Sequence, residues 1–228
     1  MPKATLLFLN QTATKNKMSK NLGAIVILAN GEFPFHKTPL AKLKNAKKII
    51  CCDGAAEKLI EAGIKPTAIV GDMDSLSYTI QQEYRDIIFK HDCQESNDLT
   101  KAFNYALKLK PTSITILGAT GMREDHSLGN ISLLAKYSAQ TKIPIEMPTN
   151  YGVFKVIFNS GEFPCEPGKQ ISLFPLNKGV KIESKGLKYP LDSIVFDSWW
   201  KATLNESEGY SYQLKLSEPS PIIIFTAY

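Results

Sequence analysis

The stretch Ile69-Val70-Gly71-Asp72-Met73-Asp74-Ser75 decides how this chain is interpreted, because an apolar run ends there in two carboxylates one residue apart. The apolar start is typical of a strand buried in a parallel sheet. Carboxylates at the carboxyl end of such a strand can share one Mg²⁺ ion, which is usually held by one or two protein carboxylates and by phosphate oxygens. An Asp-x-Asp pair alone is more often two solvated loop residues, so the neighbouring motifs carry the argument.

Short apolar runs of the same kind flank this stretch on both sides. They cover residues 24–29 and 48–52 before it and residues 87–89 and 113–117 after it, with helical patterns between them. Strand-helix-strand repeats build a parallel sheet, whose ligands lie beyond the carboxyl ends of the strands. We therefore expect an α/β domain with a mainly parallel, Rossmann-like sheet. Its rim would carry Asn30, Asp53, Asp72 and Asp74.

The second strand leads into the turn Asp53-Gly54-Ala55-Ala56, which opens a helix. Gly54 allows a tight turn, and the free amides of a helix start can face an anion. A simple helix N-cap is an equally good interpretation of Asp53. The turn is thus either an anion site or only a helix start.

The segment Asn97-Asp98-Leu99-Thr100-Lys101 begins a later helix. Asn97 is a good N-cap, and Asp98 falls in the first turn, where the helix dipole favours a carboxylate. Asp98 therefore either binds a ligand or only stabilises its helix. Lys101 lies one turn further on, where it meets either a phosphate or solvent.

A glycine-rich loop follows the strand at residues 113–117 and reads Gly118-Ala119-Thr120-Gly121-Met122-Arg123-Glu124-Asp125-His126. Its two glycines let the backbone approach a ligand closely, and the guanidinium fork of Arg123 matches phosphate oxygens. His126 and Asn130 are four residues apart, on one face of the next helix. A lone histidine near a helix start is usually structural, but the adjacent Arg123 and Asp125 favour a functional cluster.

The four motifs, in this order and at this spacing, resemble those of the thiamine pyrophosphokinase family. The resemblance runs from about residue 23 to the C-terminus. It implies transfer of the diphosphate group of ATP to the hydroxyethyl group of thiamine, with release of AMP.

The resemblance also implies roles for individual residues. The thiamine hydroxyl oxygen would attack the β-phosphorus of magnesium-ATP in line, and Asp125 would accept or orient its proton. The expected Mg²⁺ ligands, also counted as catalytic, are Asp72, Asp74 and Asp98. The residues expected to bind ATP and its phosphates are Asn30, Asp53, Gly54, Lys101, Gly118, Gly121, Arg123 and His126. The residues expected to bind thiamine are Asp125, Asn130, Tyr189 and Asn205.

Three positions depart from the family pattern. Met122 stands where a second small residue often follows Gly121, and it would crowd a phosphate if its backbone needs a positive φ. Glu57 replaces an asparagine and is expected to alter how the nucleotide is held. Leu204 replaces a serine before Asn205, which removes one expected hydrogen bond.

Beyond residue 148 the helical periodicity gives way to short alternating runs at residues 153–158, 170–174, 179–183, 210–216 and 222–225. Proline and glycine punctuate these runs, a pattern that predicts an antiparallel all-β sandwich. We therefore divide the chain into an N-terminal extension (1–22), the α/β domain (23–148) and the β domain (149–228). The resemblance implies a homodimer, with thiamine between the α/β domain of one subunit and the β domain of the other.

The pair Trp199-Trp200 raises the question of stacking on thiamine. Adjacent residues of a strand point to opposite faces, so at most one of the two could line the site. We expect one core tryptophan and one interface tryptophan. Tyr189 has the same two possible roles.

Composition limits the class of protein. With 228 residues, 43% hydrophobic and 21% charged, the chain is an ordinary globular one. A net charge of +5, without a basic tract interleaved with aromatic residues, fits an anionic small molecule at least as well as nucleic acid, which we set aside. The four cysteines lack metal-type spacing and are interpreted as reduced, which predicts a cytoplasmic protein.

We expect the N-terminus to carry no export signal. Residues 4–9 form an apolar run too short for an export signal, and no run reaches the length that spans a bilayer. We expect residues 1–17 to be dispensable for folding and activity.

Two other functions remain open on the sequence. A metal-dependent glycosyltransferase also uses Asp-x-Asp, but the β region offers no recognisable sugar site. A thiamine or nucleotide sensor would keep the pocket without chemistry, although a sensor has no need of three acidic residues at magnesium spacing.

Overall fold

The computed structural model describes residues 23–91 and 95–228, so the predicted N-terminal extension lies outside the described residues. The first half of the chain forms a parallel sheet in the order β6-β5-β1-β2-β3-β4. The strands are β1 (Ala24–Leu28), β2 (Ile49–Cys52), β3 (Ala68–Gly71), β4 (Ile88–Lys90), β5 (Ser113–Leu117) and β6 (Ile145–Pro148). All neighbours in this part pair in parallel, as the apolar runs predicted.

Helices cover both faces of this sheet. They are α1 (Lys37–Lys44), α2 (Ala55–Glu61), α3 (Tyr78–Glu83), α4 (Asp98–Lys108) and α5 (Glu124–Gln140), with a 3-10 turn over Arg85–Ile87. One core joins the sheet to α1 and α2 through Leu43 and Leu59. The other joins it to α4 and α5 through Phe103 and Tyr137, whose rings stack 4.0 Å apart. No described helix is both long and apolar enough to cross a membrane.

The second half of the chain is an antiparallel sandwich. Its strands are β7 (Gly152–Ile157), β8 (Gly161–Pro164), β9 (Gln170–Pro175), β10 (Ile182–Lys185), β11 (Asn205–Glu206), β12 (Ser211–Leu216) and β13 (Ile222–Ala227). One layer has the order β11-β9-β13-β7 and the other β10-β12-β8. Apolar side chains from both layers, such as Leu173 and Ile224 facing Ile182 and Leu214, form its core.

The two halves share one sheet. Strand β7 pairs antiparallel with β6, so the described residues form a continuous ten-stranded sheet from β11 to β4. The predicted boundary near residue 148 thus falls in the tight turn between two hydrogen-bonded strands. The nucleotide side and the β domain are therefore joined by backbone hydrogen bonds.

Some local predictions were wrong. Trp199 and Trp200 lie in a 3-10 helix (Trp199–Ala202), where strand alternation does not apply. Both side chains are exposed, so neither is a core tryptophan. Strands β6, β8 and β11 were not predicted, and the strand predicted at 179–183 lies at Ile182–Lys185.

Candidate active site

The loops at the carboxyl ends of the parallel strands enclose a cleft of about 340 Å³. A second cleft of about 310 Å³ lies beside it and shares Asn97 and Asp98 with the first. The predicted residues that line the first cleft are Asn30, Asp53, Asp98, Arg123, His126 and Asn130. Asp72 and Lys101 line the second. Most of the predicted site residues therefore line two adjoining clefts at the carboxyl ends of the parallel strands.

Three carboxylates converge at this rim. Asp53, Asp72 and Asp74 each place one oxygen within 4.8 Å of the others. The predicted metal ligands were Asp72, Asp74 and Asp98, whereas Asp53 was predicted to bind the nucleotide; the cluster contains Asp53 beside Asp72 and Asp74. The signal that was available is strand order: β2 pairs with β3 in the register Cys52↔Val70, which sets Asp53 beside Gly71.

Asp53 is the most buried acid of the cluster, with 3% of its surface exposed. Its Oδ2 accepts a hydrogen bond of 3.1 Å from the Ser75 amide, whereas its buried Oδ1 has no partner among the described residues. Burial raises the pKa of Asp53 to about 6; the Ser75 amide opposes this rise, and the neighbouring carboxylates of Asp74 and Asp98 add to it. A buried carboxylate oxygen without a donor is well suited to a cation.

Gly71 makes this approach of carboxylates possible. A Cβ at this position would lie 2.9 Å from Asp53 Cβ and 3.4 Å from Asp98 Oδ1. Any larger residue would therefore require Asp53 or the Gly71 backbone to shift, which would change the spacing of the acids. The glycine in Gly71-Asp72-Met73-Asp74 is thus required by its neighbours on β2 and α4.

Asp98 is held by a buried lysine. Lys101 Nζ donates to Asp98 Oδ1 at 2.9 Å and to Asp72 Oδ2 at 3.3 Å. Burial would raise the pKa of Asp72, but the hydrogen bonds from Lys101 and from the Asp74 amide hold it below its usual value. Burial alone would lower the pKa of Lys101, but its two carboxylate partners, Asp98 and Asp72, raise this pKa above the ordinary value. In this structure the Lys101 ammonium links the two acids, and its predicted contact with a phosphate stays a prediction.

The chemistry of this donor set fits a divalent cation. Three carboxylates offer oxygen ligands within one small volume, and one of their oxygens is buried without a donor. The Lys101 ammonium already occupies a position between Asp72 and Asp98, which shows that the region favours positive charge. Asp98 stays a predicted ligand, adjacent to the cluster of Asp53, Asp72 and Asp74.

The glycine-rich loop after β5 packs against the loop after β1. The Gly31 amide donates to Gly118 O at 2.6 Å, and the Glu32 amide donates to Thr120 O at 2.8 Å. Gly121 has a φ of +88°, and a Cβ there would lie 2.6 Å from Glu32 Cβ. Glu32 thus occupies the space beside the Gly121 Cα, and the predicted binding of ATP by the Gly121 backbone stays a prediction.

The cluster after this loop is exposed. Arg123 Nη2 lies 2.6 Å from Asp125 Oδ2, and Nε lies 3.1 Å from Oδ1, so the pair is bidentate. The hydrogen bond from Arg123 and the amide of His126 lower the pKa of Asp125. A carboxylate that is ionised and exposed beside the cleft is accessible to a substrate hydroxyl.

Asn130 connects α5 to the two neighbouring segments. Its Nδ2 donates to Ala119 O at 2.8 Å, and its Oδ1 accepts from Asn97 Nδ2 at 3.4 Å. Asn97 in turn caps α4 by accepting from the Thr100 amide at 3.0 Å. The predicted thiamine-binding Asn130 therefore also fixes the glycine-rich loop to the start of α4.

Comparison with known proteins identifies the family. Residues 40–147 match the model of the thiamin pyrophosphokinase catalytic domain, and residues 152–225 match that of the thiamin pyrophosphokinase substrate-binding domain. Thiamine pyrophosphokinase of Bacillus subtilis is 33% identical over 153 residues, which are 62% of this chain and 69% of the relative. The chain belongs to the thiamine pyrophosphokinase family. The resemblance stated from the four motifs is therefore confirmed.

Other members of the thiamine pyrophosphokinase family agree with this result. Thiamine pyrophosphokinase 1 of rice is 29% identical over 118 residues, which are 41% of this chain and 45% of the relative. The crystal structure of the Bacillus subtilis protein superposes with a TM-score of 0.73 at 28% identity, covering 89% of this chain and 98% of that one. Thiamin pyrophosphokinase from Candida albicans shares the fold, with a TM-score of 0.73, 18% identity, and coverage of 92% and 90%. The predicted α/β domain followed by an antiparallel sandwich is thus confirmed.

Two departures from the thiamine pyrophosphokinase pattern have local explanations. Glu57 Oε1 accepts from the Ser77 amide at 2.8 Å, so it ties α2 to the start of α3 below the Asp-x-Asp loop. Met122 is exposed, and its Sδ lies 3.7 Å from Lys58 Nζ, which also donates to Gly31 O at 3.0 Å. The φ angle of Met122 is not positive, so the crowding of a phosphate that a positive φ would cause does not arise.

The third departure lies in the β domain. Leu204 has a φ of +56°, is exposed, and donates its amide to Ser172 Oγ at 3.1 Å. The next residue, Asn205, is buried: its Nδ2 donates to Tyr189 O at 2.7 Å, and its Oδ1 accepts from the Tyr189 amide at 3.1 Å. Asn205 therefore holds the backbone of Tyr189, whose side chain is exposed.

Proposed function

We propose that this chain transfers the diphosphate group of magnesium-ATP to the hydroxyethyl oxygen of thiamine, giving thiamine diphosphate and AMP. The observation that carries the proposal is the cluster of Asp53, Asp72 and Asp74, with Lys101 between Asp72 and Asp98, at the edge of the 340 Å³ cleft. Phosphoryl and diphosphoryl transfer depend mostly on positioning and charge neutralisation. Three acids and a buried lysine at the carboxyl ends of the strands could supply both the positioning and the charge neutralisation.

The acids would hold the metal. Asp72 and Asp74 are the proposed ligands, with Asp53 and Asp98 completing the set from the adjacent strand and from α4. A Mg²⁺ ion held by these residues would supply positive charge that stabilises the phosphate groups of ATP during the transfer. Lys101 would contribute a further positive charge at the same edge, 3.3 Å from Asp72.

The first cleft would receive the nucleotide. Asn30, Asp53 and the Gly54 turn form one wall, and Arg123 and His126 form another across the glycine-rich loop. The exposed guanidinium of Arg123 matches phosphate oxygens in geometry and charge. Gly118 and Gly121 shape this wall through their contacts with Ala29 and Glu32.

Asp125 would accept or orient the proton of the thiamine hydroxyl. Its pKa is lowered, so the carboxylate is ionised at neutral pH, and its Arg123 partner fixes its orientation. The attacking oxygen would then approach the β-phosphorus from the side of α5. Asn130 and Tyr189 would contact thiamine, with Asn205 positioning Tyr189.

We further propose a homodimer in which thiamine lies between the α/β domain of one subunit and the β domain of the other. The support is the set of exposed apolar side chains that the β domain carries: Tyr189, Val195, Trp199, Trp200 and Leu204. Exposed aromatic and aliphatic groups of this size are typical of interfaces. We also propose a cytoplasmic location, because Cys51, Cys52 and Cys165 are free thiols.

The test is formation of AMP from ATP, with and without thiamine and Mg²⁺. We expect AMP and thiamine diphosphate in equal amounts, and only when both are present. Asp72→Ala should nearly abolish this turnover, whereas Asp86→Ala, which alters a 94% exposed acid, should leave it intact. Thiamine binding without AMP would make the chain a sensor, and near-normal turnover of Asp72→Ala at limiting Mg²⁺ would overturn the metal assignment.

A further inference from the structure

Asn150 is a buried amide at the junction of the two halves of the chain. It lies in the turn between β6 and β7, with 8% of its surface exposed. Its Oδ1 accepts from the amides of Phe35 at 2.8 Å and His36 at 3.0 Å. Its Nδ2 donates to Glu32 Oε2 at 2.9 Å and to Phe33 O at 3.2 Å. Both donors and both acceptors of this side chain are therefore used on one segment, residues 32–36, more than a hundred positions away.

This segment is the continuation of the loop after β1 that lines the first cleft. Its residue Glu32 donates its amide to Thr120 O and fills the space beside Gly121. The preceding Gly31 donates its amide to Gly118 O at 2.6 Å. The side chain of Glu32 thus lies between Asn150 and the glycine-rich loop, and the two loops are held against each other.

Asparagine is the residue that this arrangement requires. Aspartate could still accept from Phe35 and His36, but it would place a second carboxylate against Glu32 and an acceptor against Phe33 O. An apolar residue would leave two amides and a carbonyl without their partners in a partly buried place. The consequence of either change would reach the cleft through Glu32 and Gly121.

We propose that Asn150 is a positioning residue for the nucleotide: through Glu32 it sets the spacing of the two loops that form the ATP wall of the cleft. This inference rests on the proposed function for the identity of the nucleotide. The Asn150 side chain lies two residues before β7, the first strand of the β domain. A shift of that strand should therefore change the position of the loop that forms the ATP wall.

The experiment exchanges donor and acceptor in the hydrogen bond between Asn150 and Glu32. Asn150→Asp should raise the KM for magnesium-ATP about tenfold. Repulsion between the new carboxylate and Glu32 should displace the loop that forms the ATP wall, and the resulting loss of binding free energy should equal that of about one or two hydrogen bonds. Its kcat and its KM for thiamine should stay within about twofold of wild type, because, among the described residues, the side chain of Asp125 is hydrogen-bonded to Arg123 and His126 and the backbone of Tyr189 to Asn205, rather than to residues 32–36. Adding Glu32→Gln to Asn150→Asp supplies a donor from position 32 to the new carboxylate and should recover most of the ATP affinity.

The matched control is Asn177→Asp. Asn177 also donates to a glutamate, Glu218 Oε1 at 2.7 Å, and also accepts a backbone amide, that of Gly179 at 2.9 Å. It lies in the β domain, outside both clefts. The control should leave the KM for ATP unchanged.

An unchanged KM for ATP in Asn150→Asp, or equal losses in kcat and in both KM values, would overturn the inference. Failure of Glu32→Gln to recover affinity in the double variant would do the same. If Asn150→Asp does not fold, Glu32→Ala tests the same link, because it removes the acceptor and leaves the other three bonds of Asn150. It should raise the KM for ATP.

If wild type shows no turnover, the proposed function fails and this inference is tested by calorimetric titration with magnesium-ATP. Weaker ATP binding by Asn150→Asp, restored in the double variant, would support it. Equal binding by all variants would refute it.

Discussion

The ammonium group of Lys101 donates a hydrogen bond of 2.9 Å to Asp98 Oδ1, and only 4% of the lysine side chain is exposed. The two residues lie one turn apart on α4, so the helix itself brings them together. The same ammonium reaches Asp72 on the loop after β3. Lys101 thereby joins α4 to the acidic cluster.

Lys101→Met should therefore reduce both stability and turnover. Removal of the ammonium leaves two partly exposed acids, Asp72 and Asp98, without their shared donor, which costs about 1–3 kcal/mol of unfolding free energy. Loss of a preorganised positive charge near the phosphates should lower kcat by about 100-fold. Urea unfolding and AMP formation measure the two effects. Lys108→Met, an exposed change on the same helix, is the control, and equal effects of the two variants would contradict the assignment.

Asp53 predicts a pH dependence of stability in the metal-free protein. Its pKa is raised from 3.8 to about 6, so the folded chain holds the proton more tightly than the unfolded chain. Its contribution is therefore fully present below 3.8 and is lost as the pH rises through about 6. The loss is roughly 3 kcal/mol at most. Unfolding in urea between these pH values should show it in wild type and not in Asp53→Asn; identical pH profiles would contradict the buried, unpartnered state of Oδ1.

Added Mg²⁺ should oppose this effect. A cation favours the ionised carboxylate, so the apparent affinity for Mg²⁺ should fall as the pH falls through about 6. Titration of the free protein with Mg²⁺ at several pH values, without nucleotide, measures this. Asp53→Asn should bind Mg²⁺ more weakly at neutral pH and with less dependence on pH.

Asp125→Asn should slow turnover without unfolding the protein. A positioned base contributes about 10²–10⁴-fold to rate. The Asp125 side chain is 60% exposed, and exposed substitutions usually change stability by less than about 0.5 kcal/mol. Thermal melting and kcat are the measurements. The control is Glu124→Gln in the same helical turn, and a loss of kcat shared by both would argue against a specific role of Asp125.

Two glycine-to-alanine changes should have opposite effects on the stability of the protein. Gly71→Ala places a Cβ 2.9 Å from Asp53 Cβ, so it should weaken Mg²⁺ binding and lower stability. Gly129→Ala lies in α5 with nothing within 4 Å of the new Cβ, and it should stabilise the protein by about 1 kcal/mol. Melting curves with and without Mg²⁺ separate the two. Equal melting temperatures for both variants would show that Gly71 does not control the spacing of the acids.

Much of the site follows from local sequence, because each predicted element carries its own signal. Apolar runs of strand length gave the parallel strands, and Asn97 marked the start of α4, where its side chain accepts from the Thr100 amide as expected. Trp199 and Trp200 show where such signals end. A 3-10 turn of four residues has no periodicity that distinguishes it from a strand.

The contacts that the sequence did not indicate join distant segments. Asp53 became a member of the acidic cluster only through the pairing of β2 with β3. Lys101 lies buried between two acids, a position that depends on the packing of α4 against the sheet. Asn150 carried no local signal, since its four partners lie at residues 32–36.

Residue types and spacing were thus sufficient for the α/β and β halves, the acidic loop at the end of β3, the glycine-rich loop and the family. These features are local, because strand length, helix capping and turn formation are decided within a few residues. Folding decided which carboxylate completes the cluster, what fills the space beside Gly121, and how the β domain is joined to the cleft. Those features depend on strand register and on burial, which bring together side chains that the sequence separates by tens of residues.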